Sequence, residues 1–276
     1  MNILIESGAT KSTCIGFSGA CTFFTYKTTG INATYASKDT IIAVFEEIVE
    51  QNKIVTDQVE NIRFYGAGCF IPVNAEKVKD ALHVLFPKAN IDVFTDLLAA
   101  CHVLCNNNKG FVGILGTGSA SCFYDGNDIN DKAPSLGYMI GDEGSGTYIG
   151  KLFVKEYLTG KIETDVLKSF EKTFSVSQAI VINKIYQEPK PQTFFASIPI
   201  FLQKHIENRH IKKLIANSFQ DFFDQQTDYY GNFSYPWFFC GSIAFHFQDI
   251  LIETAHKNSL NIEKIIKEAA PLLIKS

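Results

Sequence analysis

Two short stretches rich in glycine, serine and threonine are the parts of the sequence best suited to chemistry. The first, SGATK, covers residues 7–11, and the second, GTGS, covers residues 116–119. Each lies between two runs of apolar and β-branched residues, which predicts the tip of a β-hairpin. Small side chains leave the backbone N–H groups of such a turn accessible, and phosphate groups bind to accessible N–H groups. We therefore interpret both turns as candidate phosphate-binding sites.

The second turn looks at first like the glycine-rich loop of dinucleotide-binding proteins. That loop joins a strand to a helix and carries a third glycine, in the pattern GxGxxG. After Gly118 the chain reads SASCFYDG, which favours a second strand, and the third glycine is missing. The pattern GxxxxGK[ST] is also missing from the sequence. A hairpin tip is therefore the better interpretation.

The same plan occurs twice along the chain. A strand, a turn and a second strand occupy residues 3–17 and again residues 111–124, and mixed helices and strands follow each copy. This repetition predicts two similar α/β lobes. We expect an N-terminal lobe of residues 1–108 and a C-terminal lobe of residues 109–276 with a helical insertion. The last residues are free in this prediction to pack back on the first lobe.

The other predicted elements that bear on a site are strands followed directly by helices. A strand over residues 91–94 precedes a helix over residues 97–104, and a further helix covers residues 145–158. The segment PWFFCGSIAFHF predicts a buried strand that ends at Gly241, with one helix beginning at Ser242. A glycine between a strand and a helix N-terminus is a plausible place for a nucleotide base or ribose.

The composition argues against a nucleic-acid or membrane surface. The 276 residues are 46% hydrophobic and 20% charged, the net charge is −4, and lysine and arginine form no basic block. The aromatic-rich residues 222–239 lack interleaved basic residues, so we interpret them as core rather than as a base-stacking surface. No run of apolar residues is long enough to span a membrane, and residues 1–12 do not read as a secretory leader. We expect a cytoplasmic protein.

Seven cysteines without a CxxC pair predict reduced and mostly buried thiols. Cys101, His102 and Cys105 are close in sequence, and residues four apart share a helix face. Their apolar surroundings and the lack of a fourth ligand nearby favour a core role over a metal site.

Six motifs together resemble one known family. SGATK, FYGAGC, TDLLAA, GILGTGS, LGYMIGDEGSG and CGSIAFHF occur in the order seen in the N-acetylglucosamine kinase-like branch of the actin-like sugar kinases, which also includes the BadF/BadG-type ATPases. The resemblance extends from residue 1 to about residue 252. It implies two ribonuclease-H-like lobes, ATP and a sugar in the interlobe cleft, and a homodimer as a weaker expectation.

The family's catalytic base corresponds to Asp96 in TDLLAA. A carboxylate at the start of a helix stays ionised and can accept the proton of an attacking hydroxyl. The alternative interpretation of Asp96 is an N-terminal helix cap. The resemblance also implies ATP contacts, at Gly8, Thr10, Lys11, Ser12, Gly116, Thr117, Gly118, Ser119, Gly241 and Ser242.

Sugar contacts in the family correspond to Asn32 and Asp142, with Thr117 as a further candidate and Glu143 as a candidate for a second sugar contact or a magnesium contact. An amide and a carboxylate suit hydroxyl and acetamido groups. Plainer roles are also open: Asn32 follows Gly30 as a turn residue would, Asp142 precedes a helix, and Glu143 suits a solvated position near that helix.

Two departures from the family pattern affect the expected chemistry. Glu6 stands where the first phosphate motif usually has an aspartate that helps hold hydrated Mg²⁺, so we expect Glu6 to act through water. Ala120 stands where an asparagine commonly contacts the sugar. The identity of the sugar is therefore less well defined by the sequence than the kinase chemistry.

The expected function is an ATP- and Mg²⁺-dependent kinase that phosphorylates N-acetylglucosamine or a related amino sugar. One alternative is a nucleotide- or sugar-binding sensor without catalysis. Another is an ATPase that activates a dehydratase. Such activators bind a cluster through cysteines, and no cysteine pair of this sequence lies in a glycine-rich loop.

Overall fold

The computed structural model describes residues 1–231 and 234–274 of the chain. These residues form two compact units. Unit 1 consists of Met1–Asn108, Gly126–Asp128 and the described residues from Glu268 onward. Unit 2 consists of Lys109–Asp125 and the described residues of Ile129–Lys267. The last two residues of the predicted second lobe, 275 and 276, lie outside the described residues.

The secondary structure alternates between strands and helices in both units. The strands are β1 (Asn2–Ser7), β2 (Lys11–Ser18), β3 (Cys21–Thr29), β4 (Asn61–Gly66), β5 (Asn90–Thr95), β6 (Gly110–Leu115), β7 (Ser119–Tyr124), β8 (Ile129–Lys132), β9 (Trp237–Cys240) and β10 (Ile262–Ile266). The helices are α1 (Lys38–Gln51), α2 (Pro72–Leu85), α3 (Asp96–Leu104), α4 (Gly146–Leu158), α5 (Thr164–Phe174), α6 (Gln178–Tyr186), α7 (Pro191–Gln203), α8 (Arg209–Tyr230), α9 (Ser242–His246), α10 (Gln248–Lys257) and α11 (Ala270–Leu273).

The two units contain five-stranded sheets of the same topology. The order is β3-β2-β1-β4-β5 in unit 1 and β10-β9-β6-β7-β8 in unit 2. In each sheet the first three strands are antiparallel, and the two later strands run parallel to the first. Short turns suffice for the antiparallel strands, whereas parallel strands need crossovers, which here contain helices. The prediction of two similar ribonuclease-H-like α/β lobes is confirmed at the level of fold.

The register of the parallel strands aligns their carboxyl ends. In unit 1, Ser7 pairs with Gly66, and Gly66 pairs with Thr95. The residues that follow these three strand ends therefore lie side by side along one edge of the sheet. In unit 2, Cys240 pairs with Ile114 and with Ile266, so the turn after β6 and the start of α9 share an edge in the same way.

Local sequence explains where the helices near these edges begin. The Ser37 hydroxyl accepts a hydrogen bond from the Thr40 N–H at 3.1 Å and caps α1. Ser145 caps α4 in the same way, through the Tyr148 N–H at 3.2 Å. Helix α2 begins with Pro72, whose missing N–H costs nothing at the first helical position.

Aromatic side chains form much of the core of unit 2. Trp237 is buried and stacks on Phe111 and Phe239, with ring centroids 5.2 Å and 5.4 Å apart. Phe222 and Phe223 pack edge-on against the same indole. The aromatic segment of residues 222–239 therefore supplies core side chains, as its composition predicts, although residues 232 and 233 lie outside the described part of the chain.

Helix α9 differs from the sequence prediction of one continuous helix beginning at Ser242. The helix ends at His246, and α10 begins at Gln248. Between them Phe247 leaves helical geometry, with φ −116° and ψ 26°, and its side chain is buried in the core. Sequence periodicity across the two short helices gives no sign of this break.

The state of the cysteines and the character of the helices are two further features of the chain. Cys21 is exposed, whereas the other six cysteines are buried, and all seven are free thiols. Over residues 1–231 and 234–274, no helix combines the length and the apolar character needed to cross a membrane.

Helices α4 and α7 pack closely because α4 has a glycine at the contact. A Cβ atom added at Gly150 would overlap the carbonyl oxygen of Phe195 in α7. Gly150→Ala should therefore lower the free energy of unfolding by about 1–3 kcal/mol, the usual cost of overpacking a core. The measurement is urea unfolding followed by circular dichroism. Lys155→Ala, on the exposed face of the same helix, should change the value by less than about 0.5 kcal/mol. Equal stability of Gly150→Ala and the wild type would contradict the close contact.

Candidate functional site

The first glycine-rich turn joins β1 to β2 in unit 1. The Gly8 N–H donates to the Lys11 carbonyl at 3.0 Å and closes the turn, and Thr10 and Lys11 are exposed. A Cβ atom added at Gly30 would overlap the Gly8 carbonyl oxygen and the Lys11 nitrogen, so the chain passes directly behind the turn. Only glycine permits that approach, and the turn is supported from behind by backbone rather than by a side chain.

Ser12 differs from the other residues predicted at this turn because it is buried. Its hydroxyl lies 2.7 Å from the Ser7 hydroxyl and donates to the Thr29 carbonyl at 3.0 Å. Ser7 in turn accepts the Ile31 N–H at 2.8 Å. The hydroxyl of Ser12 is therefore used inside the hairpin and is not presented at its surface.

Lys11 forms an ion pair with the carboxylate of Glu268. Its Nζ lies 2.5 Å from Oε1 of Glu268, and the Nζ of Lys27 lies 3.2 Å from Oε2 of the same carboxylate. Burial alone would raise the pKa of Glu268, but hydrogen bonds and charges from the two lysines outweigh it and leave that pKa lowered. The side chain at the end of the turn is therefore positioned to bind a negatively charged oxygen.

Glu6, the predicted Mg²⁺ residue, contacts the start of α11. Its carboxylate accepts the N–H groups of Ala269 at 3.4 Å and Ala270 at 2.5 Å. Burial raises the pKa of Glu6, the two N–H groups oppose that rise, and the negative charges of Asp96 and Glu268 add to it. Glu6 and Asp96, 90 residues apart in sequence, are therefore electrostatic neighbours. Within the described residues no cluster of three or more His, Cys, Asp or Glu side chains could hold a metal ion by itself.

Asp96 is the first residue of α3 and directly follows β5. The N-cap residue is Thr95, so Asp96 does not occupy the capping position itself. Its Oδ1 accepts the Leu97 N–H at 3.0 Å and the Thr95 hydroxyl at 3.1 Å. These donors and the positive end of the helix dipole stabilise a negative charge on the carboxylate, and the nearby charge of Glu6 acts against them.

Asn32 lies in a turn beside the loop after β4. Its Oδ1 accepts the Thr34 N–H at 2.9 Å, the geometry of an Asx turn. The Ala33 N–H donates to the Ala67 carbonyl at 2.9 Å, and a Cβ atom at Gly68 would overlap the side chain of Asn32. The turn role is therefore present in the structure, and it places Asn32 next to the FYGAGC motif.

The second glycine-rich turn joins β6 to β7 in unit 2 and rests on the start of α4. The Gly116 N–H donates to the Gly118 carbonyl at 3.0 Å. The carbonyls of Gly116 and Thr117 accept the N–H groups of Gly146 at 2.8 Å and Thr147 at 3.1 Å. Two N–H groups of the helix terminus, which have no partner inside the helix, are thereby satisfied by the turn.

Asp142 lies directly beside this turn. Its Oδ1 accepts the Ser119 N–H at 3.4 Å, and a Cβ atom at Gly118 would come within 2.9 Å of its Oδ2. Burial raises the pKa of Asp142 to about 6, while the Ser119 N–H and the charge of Lys151 act in the opposite direction. Asp142 also lines a depression with Ala120, Gln225 and Gln226. Neutral amides, a small side chain and one carboxylate thus surround a single recess.

One carboxylate oxygen of Glu143 makes no hydrogen bond within the described part of the chain. Its Oε2 is buried and has no hydrogen-bond partner among the described residues. Buried polar atoms usually have a partner, so this carboxylate oxygen beside Asp142 has room to accept a hydrogen bond from a ligand or a water.

Gly241 joins β9 to α9 against the second turn. It has φ +123°, a conformation that favours glycine, and a Cβ atom there would overlap the Leu115 carbonyl oxygen. Its N–H donates to the Ile266 carbonyl at 3.0 Å. Unit 2 therefore brings together the predicted residues of the second turn, Asp142, and the Gly241 and Ser242 pair.

Two charged residues at these sites were not predicted from the sequence. Glu268 follows β10, beyond the part of the chain that carries the family motifs. Lys151 lies within α4 and has no motif of its own. Each acts through contacts with residues distant in sequence, and no local pattern indicates such contacts.

Comparison with solved structures relates this arrangement to sugar kinases. A candidate N-acetylglucosamine kinase from Porphyromonas gingivalis shares 30% sequence identity with the chain, at a TM-score of 0.94, over 100% of this chain and 98% of that one. The chain belongs to the N-acetylglucosamine kinase-like family. No protein-family model and no curated protein sequence matches it.

More distant structures share only the fold of this N-acetylglucosamine kinase-like protein. A candidate N-acetylglucosamine kinase from Chromobacterium violaceum has 14% identity and a TM-score of 0.75, over 100% of this chain and 98% of that one. A ROK family glucokinase from Streptomyces griseus, solved with glucose and AMPPNP, has 12% identity and a TM-score of 0.59, over 99% and 96%. The actin-like sugar kinase fold predicted from the motifs is confirmed.

The surroundings of Asp142 generate a direct prediction. Its carboxyl group should titrate with a midpoint about 6, because burial disfavours the charged form. The measurement is the pH dependence of the side-chain carboxyl carbon resonance in a ¹³C-labelled protein. Asp142→Asn should remove the titrating signal and thereby assign it. A midpoint at the ordinary value of 3.8 would contradict the buried setting.

Proposed function

We propose that this protein is an ATP-dependent kinase that transfers the γ-phosphoryl group to a hydroxyl of N-acetylglucosamine or a related amino sugar. The proposal depends above all on Asp96, whose carboxylate lies at the start of α3 with hydrogen-bond donors on one oxygen. Family membership supports sugar phosphorylation. The particular sugar is part of the proposal.

Asp96 would act as the general base. A sugar hydroxyl is a weak nucleophile, and accepting its proton during attack is typically worth about 10²–10⁴ in rate. The carboxylate would take the proton as the new O–P bond forms and the bond to the ADP leaving group breaks. The helix terminus favours the ionised starting state of Asp96.

The two turns would bind phosphate oxygens, each within its own unit. In unit 1, the small residues of the turn at Gly8 and Thr10 would let a phosphate approach closely, and Lys11 would offer the cation that now binds Glu268. In unit 2, the residues from Gly116 to Ser119 would play the same part, with Gly241 and Ser242 at the adenosine. Charge developing on the transferred group would be stabilised by donors already fixed by the hairpins.

Mg²⁺ fits this set of residues as an ion that arrives with the nucleotide. Mg²⁺ is usually held by substrate phosphates, several waters and only one or two carboxylates. Glu6 and Asp96 are close enough to interact electrostatically: burial is the main cause of the raised pKa of Glu6, and a cation would relieve the smaller repulsion from Asp96 and Glu268. Glu6 would hold the ion through water, and the bound ion would neutralise phosphate charge.

In unit 2, Asp142 would bind the sugar together with Glu143 and Thr117, and in unit 1 Asn32 is the candidate sugar contact. The ionised Asp142 accepts hydrogen bonds from sugar hydroxyls, and the unpaired Oε2 of Glu143 offers a second acceptor. The recess lined by Ala120, Gln225 and Gln226 provides neutral surroundings next to these carboxylates.

The base is tested by Asp96→Asn. We expect kcat for the sugar to fall by about 10²–10⁴, with ATP affinity changed by less than about threefold, because the amide cannot accept the proton. A coupled ADP-release assay over a panel of amino sugars measures turnover, and calorimetry measures ATP binding. Asp92→Asn, on the exposed face of β5, is the matched control and should behave as the wild type.

Two outcomes of that assay would count against the proposal. Wild-type protein that binds ATP but shows no sugar-stimulated turnover with any member of the panel is not a kinase of this class. Turnover of Asp96→Asn close to the wild-type rate would remove Asp96 as the base while leaving the kinase proposal intact.

The proposed role of Asp142 in sugar binding is tested through Gly118, its neighbour in the second turn. Gly118→Ala places a methyl group against Oδ2 of Asp142, whereas a Cβ atom at Gly116 meets no atom within 4 Å. Gly118→Ala should raise KM for the sugar by about tenfold, a typical consequence of one misplaced hydrogen bond to a charged group. Gly116→Ala should leave that KM unchanged. Equal sugar KM values for the two variants would separate Asp142 from sugar binding.

A further inference from the structure

Residues 138–142, the segment that ends at Asp142, make few contacts that would hold them in place. Asp142 has φ +64°, in the left-handed region that costs energy for residues other than glycine. The segment before it has little apolar attachment, since Met139 and Ile140 are 76% and 75% exposed. Backbone hydrogen bonds from Gly141 to Gly137 and from Ser145 to Asp142 close its turns but do not attach residues 138–141 to a neighbouring element.

Lys151 supplies that attachment from α4. Its Nζ donates to the Tyr138 carbonyl and lies 3.5 Å from the Gly141 carbonyl, so one ammonium group contacts the segment near each end. The same Nζ lies 5.2 Å from the centroid of the Tyr148 ring, whose hydroxyl donates to Asp221 in α8 at 2.9 Å. The ring is thereby fixed, and it restricts where the ammonium group can lie.

The position of Lys151 is specific within its helix. Helix α4 begins at Gly146 and presents Lys151 toward the segment that precedes it, whereas Lys155, one turn later, is exposed. Burial lowers the pKa of Lys151, and the negative charges of Asp142 and Glu143 oppose that change. A partly buried ammonium group that is hydrogen-bonded to backbone carbonyls is costly unless those bonds are kept.

We infer that Lys151 is a positioning residue for sugar recognition, because it fixes the strained segment whose last residue, Asp142, binds the sugar. The inference rests on the proposed function for the identity of the ligand. Lys151 itself contacts carbonyls and need not touch the sugar. Its loss should therefore affect sugar binding far more than ATP binding or the chemical step.

Lys151 also affects the charge state of Asp142. The charged and titratable groups that face Asp142 are Lys151 and Glu143, and the Ser119 N–H donates to it. Tyr148 and Asp221 form the next layer from α4 and α8. Removing the positive charge leaves burial and Glu143, which both raise the pKa of Asp142. The acidic limb of kcat/KM for the sugar should then move to higher pH, an effect that a purely structural role would not produce.

The experiment compares Lys151→Met, Lys151→Arg and the control Lys155→Met in the full chain. Lys151→Met should raise sugar KM about tenfold or more, with kcat and ATP KM within about twofold of wild type, because a hydrogen bond from a charged donor is lost. Its acidic limb should move to higher pH. Lys151→Arg should recover most of the sugar KM, and Lys155→Met should match the wild type in every parameter.

The outcomes distinguish this inference from the proposed function. If the wild type shows no sugar-stimulated turnover, the kinase proposal is rejected. The effect of Lys151 on Asp142 can then still be measured through the carboxyl resonance of Asp142, whose titration midpoint should be higher in Lys151→Met than in the wild type. An unchanged sugar KM and an unmoved acidic limb in Lys151→Met overturn the inference in an active kinase. If Lys151→Met fails to fold, Lys151→Gln, which keeps a neutral donor and lacks the charge, tests the inference through the acidic limb, which should still move to higher pH.

Discussion

Parallel strand pairing is the constraint on which the site residues depend. In unit 1, Ser7, Gly66 and Thr95 are paired in register, so the turn at Gly8, the loop at Ala67 and the carboxylate of Asp96 begin from one edge of the sheet. A shift of one residue would turn each strand's core side chains to the opposite face, so the hydrophobic core enforces the register. The chemistry therefore depends on buried residues that never touch a ligand.

In unit 2, parallel strand pairing also positions the residues of the candidate site, with a different set of side chains. The pairing of Cys240 with Ile114 and Ile266 brings Gly241 against Leu115, just before the second turn. In unit 1 the chain at Gly30 makes a similar approach to the first turn. In both places a glycine lets backbone lie directly behind a hairpin tip, which holds the tip still without filling the space in front of it.

Local patterns in the sequence were sufficient for the hairpins and for the start of α3. Alternating apolar runs around small residues define the turns, and TDLLAA places Asp96 at a strand-to-helix junction, where the structure has it. The motifs that carry the family resemblance are the same segments. They are short and continuous, so their meaning does not depend on the rest of the chain.

Features formed by distant residues could not be predicted in this way. The strand β10 has mostly half-exposed residues and lacks a strong alternating pattern, so its pairing with β9 is visible only in three dimensions. The contacts of Glu268 with Lys11 and of Lys151 with Tyr138 involve side chains without a motif. Ser12 shows the opposite case, since its motif suggests a ligand contact and its burial gives it a structural one.

The ion pair between Lys11 and Glu268 has a consequence for how a nucleotide would enter. In this structure the charge of the lysine at the first turn is paired with the carboxylate of Glu268. In the proposed kinase, a triphosphate that binds Lys11 would replace the carboxylate of Glu268. The net electrostatic gain would be the difference between the interaction of Lys11 with the phosphate and its interaction with Glu268. A protein built this way would tolerate an empty turn at little cost and release its spent nucleotide more readily.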